Sequence, residues 1–370
     1  MGVKAALSLI VVILMAGFGG YLYGFNLAKT VTITEVNLEM VTLTQPPSTL
    51  TETETVTLTP PTQTVTIRKT ISLWKTATPL MQTITISKTV TVTETLIPTP
   101  AWQELVYFTL ELINADRANH GLPPVKLGIN QAAQKHAEEM LKNDYLSHWN
   151  LAGMKPYMRY MLECGSGAIF ENVAYSGRWS EKFSPKEIIA KMEYNMMYED
   201  EDFDWSHRYN ILDRWHNKVN IGIAYNGYAL ALVQDFERDY VEWEEPIKYE
   251  NGRFSMKGKT MLGEIYPAIL LYYDPPPVSL TREQLLKPPY NKSYSMGEEA
   301  GYIIPSGYRM EEVDYVNALS WRISPSGEFE IVADITPLLK YGDGVYTLVL
   351  LAEVDGEYIE LVIHSLFIQK

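Results

Sequence analysis

Six histidines and one cysteine are the side chains of this sequence best suited to acid–base, nucleophilic or metal chemistry. Their contexts exclude several arrangements at once. His136 opens H-A-E-E-M, which lacks the second histidine that a zincin helix presents one turn later. Cys164 stands in C-G-S-G, without the G-x-S-x-G spacing of a nucleophile elbow, and reads as a loop or buried thiol. Gly252 and Gly258-Lys259-Thr260 enclose one residue too many for a phosphate loop and stand where a strand turn is expected. His120 follows a helix end, where a ring nitrogen can meet the last carbonyls. His136 is read as structural, His364 as a half-buried sheet residue, and His216 has no assigned role. A lone cysteine also rules out an intrachain disulfide and a cysteine-based zinc cluster.

The elements that must position any site follow from periodicity. In QELVYFTLELINADRANHG, Leu105, Phe108, Leu112 and Ile113 recur at helical spacing until Gly121 and Pro123-Pro124. A second helix is predicted over 130–143, with Ala133, Ala137 and Met140 on one face, and a third from Pro185 to about Asp200. KVNIGIAYNGYALALVQDF reads as two strands joined at Asn226-Gly227. Beyond a linker at 242–254, short strand-like runs alternate with Asn251-Gly252, Pro275-Pro276-Pro277, Ser326-Gly327, Asp343-Gly344 and Asp355-Gly356. That spacing predicts a β-sandwich, immunoglobulin-like in outline, over 241–370. Trp243 and Trp321 are expected in its packing, and Asn291-Lys292-Ser293 is a glycosylation sequon on a surface loop.

In the order LINADRANHGLPPVKL, AAQKHAEEM, YLSH, FENVAY, SHRYNIL and IGIAY…LVQDF, residues 101–240 resemble the CAP superfamily, the SCP-domain proteins, in its disulfide-free prokaryotic form. The resemblance implies an α-β-α sandwich around a mostly antiparallel sheet, so the fold class is α/β followed by an all-β domain. It also implies a cleft of two histidines and two acids that in some members holds a divalent metal. Matched residue by residue, the cleft falls on His148, Glu171 and His207, with Asn195 at the second acidic position. Glu193 lies about 200° away around that helix. Asn195 supplies a neutral oxygen where the family has a carboxylate, which leaves His148, Glu171 and His207 as a three-ligand set for zinc or another divalent ion. Arg208, Asn210 and Asn172 are expected to brace the same loops.

Before the CAP-like region, residues 1–29 and 30–100 differ in kind. From Ala5 to Ala28 no residue is charged, and about 24 residues at 1.5 Å each span roughly 36 Å, enough for a hydrocarbon core. A membrane anchor with a cytoplasmic N-terminus and a cleaved signal peptide are both open. In 30–100 threonine supplies roughly a third of the residues, with proline pairs, a composition that cannot build a packed core. It reads as a Thr/Pro-rich stalk, or as strands that pair with copies in neighbouring chains. The net charge of −14 gives no attraction for phosphate backbones, so nucleic acid is excluded as a partner. With 46% hydrophobic residues, wholesale disorder is excluded as well. The expected protein is a cell-surface binder of a small molecule, lipid or peptide. A metal-assisted hydrolase and an adhesive protein are the alternatives.

Overall fold

Valine and threonine in strict alternation suit extended backbone, and the N-terminal region takes that form in three places. In this computed structural model, which describes residues 50–58, 63–73, 84–88, 101–177 and 183–369, β1 (Leu50–Leu58), β2 (Gln63–Leu73) and β3 (Ile84–Lys88) form an antiparallel sheet within the chain. The apolar segment 5–28 lies outside the described residues. Among those described, no helix is long and apolar enough to cross a membrane. The chain divides into two compact units, Met1–Thr99 and Pro100–Lys370.

The second unit begins with α1 (Ala101–Asn119), β4 (Lys126–Leu127), α2 (Ala132–Asn143), α3 (Pro156–Leu162), β5 (Ala168–Ser176) and α4 (Pro185–Tyr198). It continues through α5 (Ser206–Leu212), β6 (Lys218–Tyr225) and β7 (Leu230–Arg238). Their sheet has the order β4-β6-β7-β5, antiparallel except for β4 on β6. Side chains alternate across it, as the period of two requires. Leu230, Leu232 and Phe236 meet Ile113, Ile189, Met196 and Ile211 from α1, α4 and α5. Ala231 and Val233 face the other way, onto Ala133, Ala137 and Met140 of α2. This is the three-layer α-β-α arrangement. Gly222 lets α2 lie directly on β6, since a Cβ there would sit 2.1 Å from the Ala133 carbonyl oxygen.

The C-terminal half is built from strands. β8 (Val241–Glu250), β9 (Arg253–Thr260), β13 (Ser320–Ile323) and β14 (Glu328–Asp334) form one sheet. β10 (Glu264–Asp274), β11 (Glu298–Ile304), β12 (Tyr315–Asn317), β15 (Gly344–Val354) and β16 (Glu357–Ile368) form the other. A short helix, α6 (Arg282–Leu285), interrupts the connection between β10 and β11. Phe254, Met256, Phe329 and Ile331 of the first sheet share a core with Ile269, Leu271, Leu348 and Leu350 of the second. The stretch expected to be a linker is instead β8 and its turn at Asn251-Gly252. Its outward residues are mostly charged or exposed, a composition that blunts an edge strand and hides it from pattern reading.

Candidate functional site

β5 is the edge strand of its sheet, and Glu171 and Asn172 are consecutive on it. Their side chains therefore leave the strand on opposite faces. Glu171 pairs with Asp235 on the α2 side, and Asn172 pairs with Gln234 on the side of α1 and α4. A different histidine is placed on each side.

On the α2 side, the loop after α2 carries His148, whose Nδ1 lies 2.8 Å from Glu171 Oε1. A carboxylate only accepts, so Nδ1 carries a proton, and in the neutral ring Nε2 keeps a lone pair. Arg159, from α3, donates to the other carboxylate oxygen and to the carbonyl of His148, so one guanidinium holds both partners. Burial alone would raise the Glu171 carboxyl. The charge of Arg159 and the His148 hydrogen bond outweigh it and keep the group well below the ordinary carboxylate range. Next to it Asp235, 1% exposed, is driven well upward by burial and by the Glu171 charge. The Tyr294 ring lies against His148 at 5.0 Å between centroids.

On the other side, His207 opens α5 and its Nδ1 lies 2.5 Å from Asp200 Oδ1. Asp200 is 1% exposed, and its second oxygen accepts from the backbone N–H groups of His207 and Arg208, at 2.9 and 3.2 Å. It thus caps the start of α5 from outside the helix. The turn between them places Asp204 and Trp205 at φ 53° and 60°, a left-handed conformation unfavourable for so bulky a residue as Trp205. That turn puts the Phe203 ring 5.0 Å from His207. Arg117, fully buried, fixes the far end of α5 by donating to the carbonyls of Ile211, Asp213 and His216.

An amide network braces the His207 side. Asn172 Nδ2 donates to the His207 carbonyl and to Gln234, while its oxygen accepts from Asn210. Gln234 in turn donates to Glu193, which is 2% exposed on α4. Here the structure corrects the sequence reading. Asn195, expected at the acidic position of the cleft, is exposed on α4, whereas Glu193 shares the buried stripe of Ile189, Met192, Met196 and Met197. The acid that serves His207 is Asp200, just past the end of that helix. In sequence it is one of several acids in YEDEDFDW and is set apart only by its burial.

His148, Glu171 and His207 do not form the expected three-ligand set. Both oxygens of Glu171 are engaged, and among the described residues no three His, Cys, Asp or Glu side chains are grouped to hold a metal ion. The donor set does not fit a His2Glu metal centre. Of the other histidines, His136 is buried with Nε2 at 2.8 Å from the Ser147 carbonyl, and burial pushes it down to about 3. His120 meets the Asp116 carbonyl, as expected of a residue past a helix end. His216 stacks on Phe236. Cys164 is exposed. Away from the pairs, an open groove of about 510 Å³ on the β8-β9-β14-β13 sheet is lined by Trp321, Phe329 and charged residues, none belonging to the cleft.

Residues 110–236 match the family model described as CAP, the cysteine-rich secretory protein family. Among solved structures, the chain is similar to the CAP domain of enterococcal PrgA, at 19% identity and a TM-score of 0.28. The match covers 40% of this chain and 66% of that one. No curated protein sequence matches.

Proposed function

Residues 110–236 of this chain match the CAP family model, the cysteine-rich secretory protein family, and from that premise we propose that it is a ligand-binding protein whose cleft lies beside the edge strand β5. One observation carries the reading. Two imidazoles, with side chains 14% and 12% exposed, are each locked through Nδ1 onto a buried carboxylate on either side of the edge strand, so that in each neutral ring Nε2 carries the lone pair. Such a site accepts hydrogen bonds from a ligand that offers O–H or N–H donors, as a peptide, a glycerolipid headgroup or a hydroxylated small molecule does. Phe203 and Tyr209, 54% and 67% exposed beside His207, supply apolar surface for the rest of the ligand.

Binding is favoured over hydrolysis by the neighbouring hydroxyl. Ser147 precedes His148, yet its Oγ donates to the Tyr290 carbonyl at 2.7 Å and is not presented to the imidazole as a nucleophile would be. The segment 5–28 tethers the domain to a membrane in this reading, and 30–100 carries it outward.

The test follows the imidazole resonances of a 15N-histidine-labelled chain during titration with a tripeptide, a glycerophospholipid micelle and an oligosaccharide. The reading expects one class to move His148 and His207 and to lose at least tenfold in affinity in a His148→Ala, His207→Ala variant. Binding that the double variant leaves intact would place the ligand elsewhere. Membrane attachment is checked by fractionation, where recovery only in detergent supports the tether and recovery as a shortened soluble chain overturns it.

A further inference from the structure

The connection 275–297 between β10 and β11 belongs in sequence to the C-terminal half but lies against the loop that carries His148. Its approach is close enough that a Cβ on Gly153, itself at φ +79°, would sit 2.3 Å from the Val278 carbonyl oxygen. The Leu280 N–H donates to the Leu151 carbonyl at 2.8 Å, and Leu280 and Leu285 are buried with Trp149 and Tyr145. Arg282 donates to the side chain and carbonyl of Asp144 at one end of the loop, and Lys155 donates to the Ser295 carbonyl at the other. The loop is therefore gripped on both flanks of His148.

Within that grip Tyr294 makes two contacts with the first pair. Its ring lies on His148, and its hydroxyl accepts from the backbone N–H of Glu171 at 3.2 Å. An edge strand presents N–H and C=O groups that its own sheet does not pair. The Glu171 N–H is one of these, and the Tyr294 hydroxyl satisfies it.

We propose that Tyr294 is the positioning residue of the His148–Glu171 pair, so that this half of the cleft is assembled jointly by the CAP domain and the C-terminal β region. The role given to the pair rests on the ligand-site reading, but the positioning does not. The ring fixes the tilt of the imidazole and hence the direction of its Nε2 lone pair, while the hydroxyl fixes the backbone from which the carboxylate springs. The C-terminal region is then a working part of the site and not a separate module.

The test uses the full chain labelled with 15N-histidine, without ligand, in wild type, Tyr294→Phe and Tyr294→Ala. Hydrogen–deuterium exchange is read at the Glu171 amide. In Tyr294→Phe the ring remains and the acceptor is lost, so Glu171 exchange is expected to rise about tenfold while the His148 resonances stay near wild type. In Tyr294→Ala, His148 is expected to lose its single Nδ1–H tautomer and shift, while His207 stays fixed as the internal control. Wild-type His148 signals and wild-type Glu171 exchange in a folded Tyr294→Ala chain would overturn the proposal. If that variant does not fold, unchanged exchange in Tyr294→Phe overturns it alone. A failure of every ligand class to bind, with these effects present, would sink the ligand-site reading and leave Tyr294 as a positioning residue.

Discussion

Glu171 and Asp200 each hold an imidazole through Nδ1, but they are stabilised by different means. Glu171 is wholly buried and depends on a guanidinium, Arg159, that reaches it from α3. Asp200 meets His207 and no lysine or arginine among the described residues, and depends on two backbone N–H groups at the start of α5. The first arrangement is expensive to break, because removing one partner leaves a desolvated charge. The second is a helix cap with a histidine added, and its stability is distributed over backbone that is already formed. Even the aromatic partners differ in origin. Phe203 comes from the turn that carries His207, and Tyr294 from the other half of the chain.

The most disruptive way to break this comparison is to remove the arginine. Arg159→Leu is expected to cost about 3–5 kcal/mol in urea unfolding, by leaving Glu171 buried and unpaired. The loss should shrink on acidification. A carboxylate whose folded pKa is depressed contributes stability above its unfolded pKa and loses it as pH falls through the folded one, so protonation removes what Arg159 was supplying.

Asn172→Ala should come next, at about 2–3 kcal/mol, since it leaves Gln234 and Asn210 short of buried partners. It sharpens the comparison because its hydrogen bonds reach the His207 carbonyl and not His148, so the 15N shifts of His207 should respond and those of His148 should not. Asp200→Asn keeps an oxygen for the backbone N–H groups but loses the charge, for about 1–2 kcal/mol, and only His207 should respond.

Glu193 gives a prediction of opposite sign in pH. Burial raises it to about 8, against the pull of the Gln234 hydrogen bond. Between an unfolded value near 4.5 and that figure the unfolded chain is ionised and the native one is not, so this group lowers stability as pH rises across the window. Glu193→Gln should flatten that decline by roughly 1 kcal/mol or more between pH 5 and 8, as measured by urea midpoints. The smallest effect belongs to Asn195→Asp. On an exposed helix face it should stay within about 0.5 kcal/mol and move neither histidine signal.

That contrast between Glu193 and Asn195 also shows how far the sequence could be read. Helices over 101–119, 132–143 and 185–198 and the hairpin at Asn226-Gly227 follow from periodicity and turn residues, because both depend on neighbours in the chain. Ordered motifs single out His148, Glu171 and His207, which stand in the loop after α2, on β5 and at the start of α5. Their grouping was not legible. Alternation puts Glu171 and Asn172 on opposite faces, and nothing local states that His207 belongs to the face of Asn172. Asp200 was hidden among exposed acids, and Arg159 and Tyr294 reach the site through long-range packing that leaves no local pattern. β8 was missed for the same reason in reverse, since an exposed, charged edge strand resembles a linker.

The account stands on two separate pairs, each an imidazole with its proton on Nδ1 facing its own carboxylate. Long-range 1H–15N correlation spectra of the labelled full chain test this most directly, in wild type and in Asp200→Asn. The prediction is that neutral His148 and His207 both show a protonated Nδ1 and an unprotonated Nε2, and that Asp200→Asn moves His207 alone. An Nε2-protonated tautomer in either residue, or a His148 signal that moves together with His207, would contradict it.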